Sequence, residues 1–206
     1  MYLSEELIAH YEHAKEEIKA RLLSFKSVKP EEYFYELCYC LCTPQSKAAS
    51  AMQVQEKLKQ LDFYSAKFDP TEILQDRSHY IRFHNQKAQR LLDAIEIFPT
   101  VLQILNSDVS ASAKRSELNA IIKGMGMKEC SHYLRNIGET GLAILDRHIL
   151  KHLVKAGLYS ELPNIQSVNN YLKVEAKFIE FANNIQIPMD ELDLLFWSYE
   201  NGRILK

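Results

Sequence analysis

Apolar side chains return every three or four positions through most of the chain, the period of an α-helix with one buried face. Leu7, Tyr11, Ala14, Ile18 and Leu22 set the pattern, behind a Ser4 cap with Glu5 and Glu6 in the first turn. Pro30 with Glu31 and Glu32 opens a second helix, whose Phe34, Leu37, Cys38 and Leu41 share a stripe, and Pro44 stops it. A third helix is predicted over 46–61, and Pro70 with Thr71 announces a short fourth. The same period continues over 85–97, 100–105 and 112–122. Beyond it come 128–137, ending at Gly138, then 146–156, 167–183 and 189–199, with Gly202 as the last stop. No segment alternates as a strand would. The expected class is all-α, with roughly ten helices.

Nothing in this succession looks like a flexible linker, a repeat or a low-complexity tract. A chain of 206 residues can form one large domain or two smaller lobes. Apolar residues make up 47% and charged residues 25%, the balance of a globular protein that needs no membrane. No apolar run reaches the length of a span, and the acidic start MYLSEELIAHYEHAKEE lacks the plan of a signal peptide. An intracellular protein is expected. Cys38, Cys40 and Cys42 follow C-x-C-x-C, which suits neither zinc nor a disulfide framework; with Cys130 they are expected to be reduced core thiols.

The formal charge of −2 says little about partners, but its distribution is uneven. Residues 1–36 hold five Lys/Arg and eight Asp/Glu, whereas 112–160 hold eight and four. The second segment could offer a basic surface to a polyanion. It also contains Lys123-Gly-Met-Gly-Met-Lys-Glu-Cys130, with Asp146 eighteen residues beyond Lys128. Two glycines at G-x-G allow a tight turn with bare N–H groups, able to hold a phosphate without reading sequence. Lys128 then opens a helix, where the dipole disfavours a cation and favours a nucleophilic amine. Asp146 follows the apolar run 142–145 and suits both an N-cap and the stabilisation of positive charge on a substrate.

Other residues invite weaker readings. His148 and His152 stand at i and i+4, but Ile149 occupies the place of the H-E-x-x-H glutamate and no third ligand is evident, so no metal is expected. Phe83 and Trp197 read by default as core aromatics. A flat apolar side chain is also what an extruded nucleobase stacks on, and the terminal Lys206 could supply polar groups at its edge.

The segments 123–138 and 142–150 resemble the helix-hairpin-helix and catalytic-aspartate motif of DNA glycosylases, and more narrowly the archaeal-type 8-oxoguanine DNA glycosylase/AP lyases. Ile81–Ala88 and Glu191–Lys206 carry further similarity. The resemblance implies that Lys128 attacks C1′ and forms a Schiff base, while Asp146 assists it. It implies that Gly124 and Gly126 mark a phosphate-binding turn, which in similar proteins holds a monovalent cation through carbonyls. Phe83, Trp197 and Lys206 fall where the family places lesion-pocket residues, and Gln45 resembles a residue inserted into the duplex where the base has left. No cofactor is required, and the cysteine cluster of iron–sulfur relatives is absent.

The fold so implied has a central lobe over 45–139, hairpin included. A second lobe is built from 1–44 and 140–206, with a DNA-binding cleft between the two. The expected activity is excision of 8-oxoguanine from double-stranded DNA followed by β-elimination, by a monomer. A glycosylase for oxidised pyrimidines, or a helix-hairpin-helix module that only binds DNA, are the alternatives.

Overall fold

The computed structural model describes residues 2–206, and every regular element among them is helical. In chain order these are α1 (Glu5–Lys26), a 3-10 turn (Pro30–Glu32), α2 (Tyr33–Cys42), α3 (Ala48–Gln60), α4 (Phe63–Ala66) and α5 (Thr71–Gln75). Then follow α6 (His84–Leu105), α7 (Ala111–Ile121), α8 (Met127–Asn136), α9 (Arg147–Lys155), α10 (Val168–Asn184) and α11 (Met189–Asn201). Ser4, Ser110, Asp146 and Ser167 each accept a hydrogen bond from a backbone N–H in the first turn they precede. Those N–H groups have no acceptor inside the helix, which is why these residue types mark the starts. Gly202 ends α11 in the left-handed conformation, with φ of 69°.

Three elements differ from the periodicity-based expectation. Pro99 lies inside α6 rather than between two helices. An interior proline costs about 3 kcal/mol, but Ile95, Phe98, Val101 and Ile104 are all buried on one face through the break, and that shared burial keeps the helix whole. In α2 every residue from Phe34 to Cys42 is buried, not one stripe. A helix buried on every side belongs in the middle of a core, and the three cysteines lie there as free thiols. The one-turn helix α4 escaped prediction because it is shorter than the period that would reveal it.

The chain divides into two compact units, Met1–Ser27 with Leu134–Lys206, and Val28–Tyr133. The boundaries drawn from the sequence at 44/45 and 139/140 therefore differ from those of the packing. The physical reason is α2, which packs against α3 and α6 of the middle unit. In that unit the Phe34 ring lies 4.7 Å from Tyr64 and 5.2 Å from Phe98. In the other unit α1, α9 and α10 all pack on α11. Its core includes Ile18, Leu145, Ile149, Phe178, Leu195 and Phe196. The boundary falls inside α8: Arg135, near its end, forms an ion pair of 2.6 Å with buried Asp193 of α11, which ties the last turn to the first unit.

Candidate active site

The middle unit holds the hairpin. Helix α7 ends at Ile121, residues 122–126 turn the chain, and α8 begins at Met127. Fully buried Arg115 of α7 donates from Nη1 to Ser131 Oγ of α8 at 3.0 Å, fastening the two helices below the turn. The two glycines do different work. Gly124 has φ of 88°, and a Cβ there would overlap the side chain of Arg90 from α6. Gly126 has no such φ, and a Cβ there would meet only the end of the Glu129 side chain, at 3.3 Å from Oε2.

Glu129 shapes the start of α8. Its Oε2 accepts from the Gly126 N–H at 3.0 Å, as the third residue of a helix does in a capping box. Its Oε1 lies 2.9 Å from Lys128 Nζ. The helix-start lysine thus has an anionic neighbour that the dipole argument leaves out. The pattern Gly126-x-x-Glu129 was the available signal. The Gly126 N–H is already engaged, while among the described residues nothing accepts from the Gly124 N–H. Lys128 is itself 31% exposed, enough for its amine to meet a ligand from solvent.

Two further expected residues belong to this unit. Gln45 is exposed and strained, with φ of 56°, in the turn after α2. Phe83 precedes α6 with φ of 59°; the residue is 51% exposed and its ring lies 5.4 Å from the Arg82 guanidinium. It is not a core residue. The two turns are tied together, because Arg82 N–H donates to Ser46 Oγ at 3.0 Å. Phe83 also lines an open depression of about 420 Å³ with Tyr80, Arg82 and His84.

The other unit holds Asp146, Trp197 and Lys206. Asp146 caps α9: its Oδ1 accepts from His148 N–H at 2.8 Å and Ile149 N–H at 2.9 Å. Among the described residues Oδ2 has no hydrogen-bond donor, so half the carboxylate builds the fold and half remains available. Burial pushes nearby Asp193 up to about 7; Arg135 pulls against that shift, and Asp146 and Asp190 add to it. His148 Nδ1 and His152 Nε2 both face Glu200, at 3.7 and 3.0 Å. Among the described residues no group of three or more His, Cys, Asp or Glu could hold a metal. Trp197 is half-buried on α11, beside the turn that leads to the half-buried tail 204–206. Arg203, Ile204 and Leu205 share a groove of about 440 Å³ with His10, His13 and Glu17 of α1.

A glycine turn between two fastened helices, with a lysine in the first turn of the second, defines a helix-hairpin-helix protein. Residues 18–187 match the family described as 8-oxoguanine DNA glycosylase, and the chain belongs to it. It is 37% identical to the 8-oxoguanine DNA glycosylase/AP lyase of Fusobacterium nucleatum, over 95% of this chain and 94% of that protein. Identity to the enzyme of that name from Methanocaldococcus jannaschii is 32%, over 93% of each. The crystal structure of the M. jannaschii glycosylase/lyase in complex with DNA containing 8-oxoguanine superposes with a TM-score of 0.83 at 29% identity. That superposition covers 98% of this chain and all of the other. The 8-oxoguanine DNA glycosylase of Thermotoga maritima gives a TM-score of 0.85 at 28% identity, over 98% and 97%.

Proposed function

We propose that this protein excises 8-oxoguanine from double-stranded DNA and then cuts the strand at the abasic site, acting as a monomer inside the cell. The observation that carries this reading is Lys128, an accessible amine in the first turn of α8, directly after a hairpin whose Gly124 N–H is uncommitted. That N–H and the unpaired N–H groups opening α8 suit a phosphate oxygen. The phosphates seat the hairpin on the duplex, the lesion being drawn out of the stack. Gln45 fills the space left behind. Phe83, Trp197 and Lys206 contact the extruded base.

In this mechanism Lys128, as the free amine, forms a bond to C1′ while the glycosidic bond breaks and its electron pair leaves with the base, which takes up a proton. The Oδ2 of Asp146 stabilises positive charge on the sugar during this step. Opening of the sugar ring gives a Schiff base whose cationic nitrogen acidifies the C2′ proton. Loss of that proton breaks the C3′–O bond, and water then releases the lysine. The protonated imine is the electron sink, so the chain needs no cofactor for the chemistry. A monovalent cation also fits the hairpin: among the described residues no N–H donates to the carbonyls of Lys123, Gly124 or Met125. Hard oxygen donors of this kind would hold it beside a phosphate.

Borohydride trapping on an 8-oxoguanine duplex tests substrate and covalent chemistry together. Lys128→Gln should abolish the trapped adduct while retaining much of the DNA affinity. Wild-type trapping by that variant would remove Lys128 as the nucleophile. Affinity without any adduct from the unaltered protein would leave only a DNA-binding module.

A further inference from the structure

Lys87 is 1% exposed, on the inward face of α6 beside Ala88 and Leu91. Its Nζ donates to Cys42 O at 2.7 Å, Pro44 O at 2.6 Å and Ser46 Oγ at 3.3 Å. Burial pushes the ammonium down to about 8, so it is still protonated at neutral pH. A buried charge is costly unless oxygen atoms replace its water, and here three do. The carbonyls lie at the C-terminal end of α2, where the helix dipole favours a cation.

The turn held in this way is the one that carries Gln45. Thr43 Oγ1 donates to Cys40 O and Ser46 N–H to Thr43 O, both at 3.0 Å, so its ends are fixed from within as well. Gln45 between them is exposed in a left-handed conformation. Strain of that kind persists only where the surroundings over-determine it. Ser46 Oγ, which Lys87 shares, also accepts from Arg82 N–H beside the equally strained Phe83. One ammonium therefore joins two strained turns, each presenting an exposed side chain. An apolar residue on this inward face would stabilise α6 without burying a charge, so stability alone does not explain a lysine.

We propose that Lys87 is a positioning residue that locks the Thr43–Ser46 turn so that Gln45 is already in place to enter the duplex as the damaged base leaves. The inference rests on the reading of Gln45 as the wedge, and the test separates the two. Duplexes carry 2-aminopurine next to 8-oxoguanine, so its fluorescence reports unstacking; single-turnover excision and borohydride trapping on a single-stranded abasic oligonucleotide are measured alongside. Lys87→Met should slow unstacking and duplex excision by about tenfold or more, with single-strand trapping within about twofold of wild type, since a misplaced group costs rate only where it is used. The Lys87→Met, Gln45→Ala double variant should unstack no more slowly than Gln45→Ala alone, as expected of residues acting through one another.

Wild-type unstacking by Lys87→Met, or losses that multiply in the double variant, would overturn the proposal. So would an equal loss on single-stranded DNA. Should Lys87→Met fail to fold, Ser46→Ala decides the matter: it keeps the lysine and removes the shared acceptor, so slowed unstacking supports the clamp and wild-type unstacking overturns it. Unchanged unstacking by Gln45→Ala would instead refute the wedge. No trapping by wild-type protein would refute the enzyme.

Discussion

Substituting alanine for each hairpin glycine in turn separates two roles that the G-x-G spacing leaves merged. Gly124→Ala forces an L-residue into φ of 88° and drives its methyl into Arg90. The left-handed conformation costs about 1–2 kcal/mol, and swinging Arg90 away from its seat forfeits roughly 1 kcal/mol more of packing. A total of about 2–3 kcal/mol corresponds to a drop in Tm of roughly 5–10 °C for a chain of this length. Gly126→Ala meets only a flexible carboxylate end at 3.3 Å and no forbidden φ, so its Tm should stay within about 2 °C of wild type. Thermal unfolding measures this directly. Fluorescence anisotropy on an abasic-site duplex, titrated at several salt concentrations, reads the function: Gly124→Ala should bind about tenfold more weakly, with the salt dependence reduced by about one phosphate contact. If Gly126→Ala proves as damaging as Gly124→Ala, the conformational account of the turn is wrong. If Gly124→Ala unfolds early but binds DNA with the wild-type salt dependence, the hairpin N–H does not hold a phosphate.

The two jobs of Asp146 can be told apart by what replaces it. Asn still offers an oxygen to His148 and Ile149 N–H, so Asp146→Asn should unfold near the wild-type temperature yet lose most excision, whereas Asp146→Ala loses activity and about 1 kcal/mol of capping as well; full excision by Asp146→Asn would leave it a cap only. Burial, helped by Lys155 and His148 against the pull of Glu200, holds His152 below the ordinary histidine range. The unfolded chain therefore takes up that proton first, and stability should fall as pH drops below about 6.5. Calorimetry from pH 7 to 5 should show a smaller loss for His152→Gln; an unchanged pH slope would mean that His152 does not titrate differently on folding. Removing Lys206 should narrow the preference for 8-oxoguanine over guanine in an excision assay, and an undiminished preference would take the tail out of the pocket.

What could be read from the chain alone depended on whether a residue answers to local or to distant neighbours. Ser4 and Asp146 cap helices through N–H groups two or three positions away, so their roles follow from spacing. The separate segments 85–97 and 100–105 are one helix because the penalty of Pro99 is local, while the burial of Phe98 and Val101 that outweighs it comes from the fold. The difference between Gly124 and Gly126 depends on Arg90, which lies more than thirty positions upstream. Glu129 could have been found from its capping spacing, yet its second contact, with Lys128, competes with the dipole argument that first drew attention to that lysine. Lys87 was the least legible: a lysine on an apolar stripe ordinarily runs its stem along the surface to reach water. Only the carbonyl ends of α2, brought to it from more than forty positions away, show a cation held inside for the sake of a turn. Asp146 and Glu129 share a further trait, since each commits one carboxylate oxygen to starting a helix. The remaining oxygen of each is then aimed by backbone geometry rather than by a free rotor, the condition under which a charge can stabilise a transition state without first being reoriented.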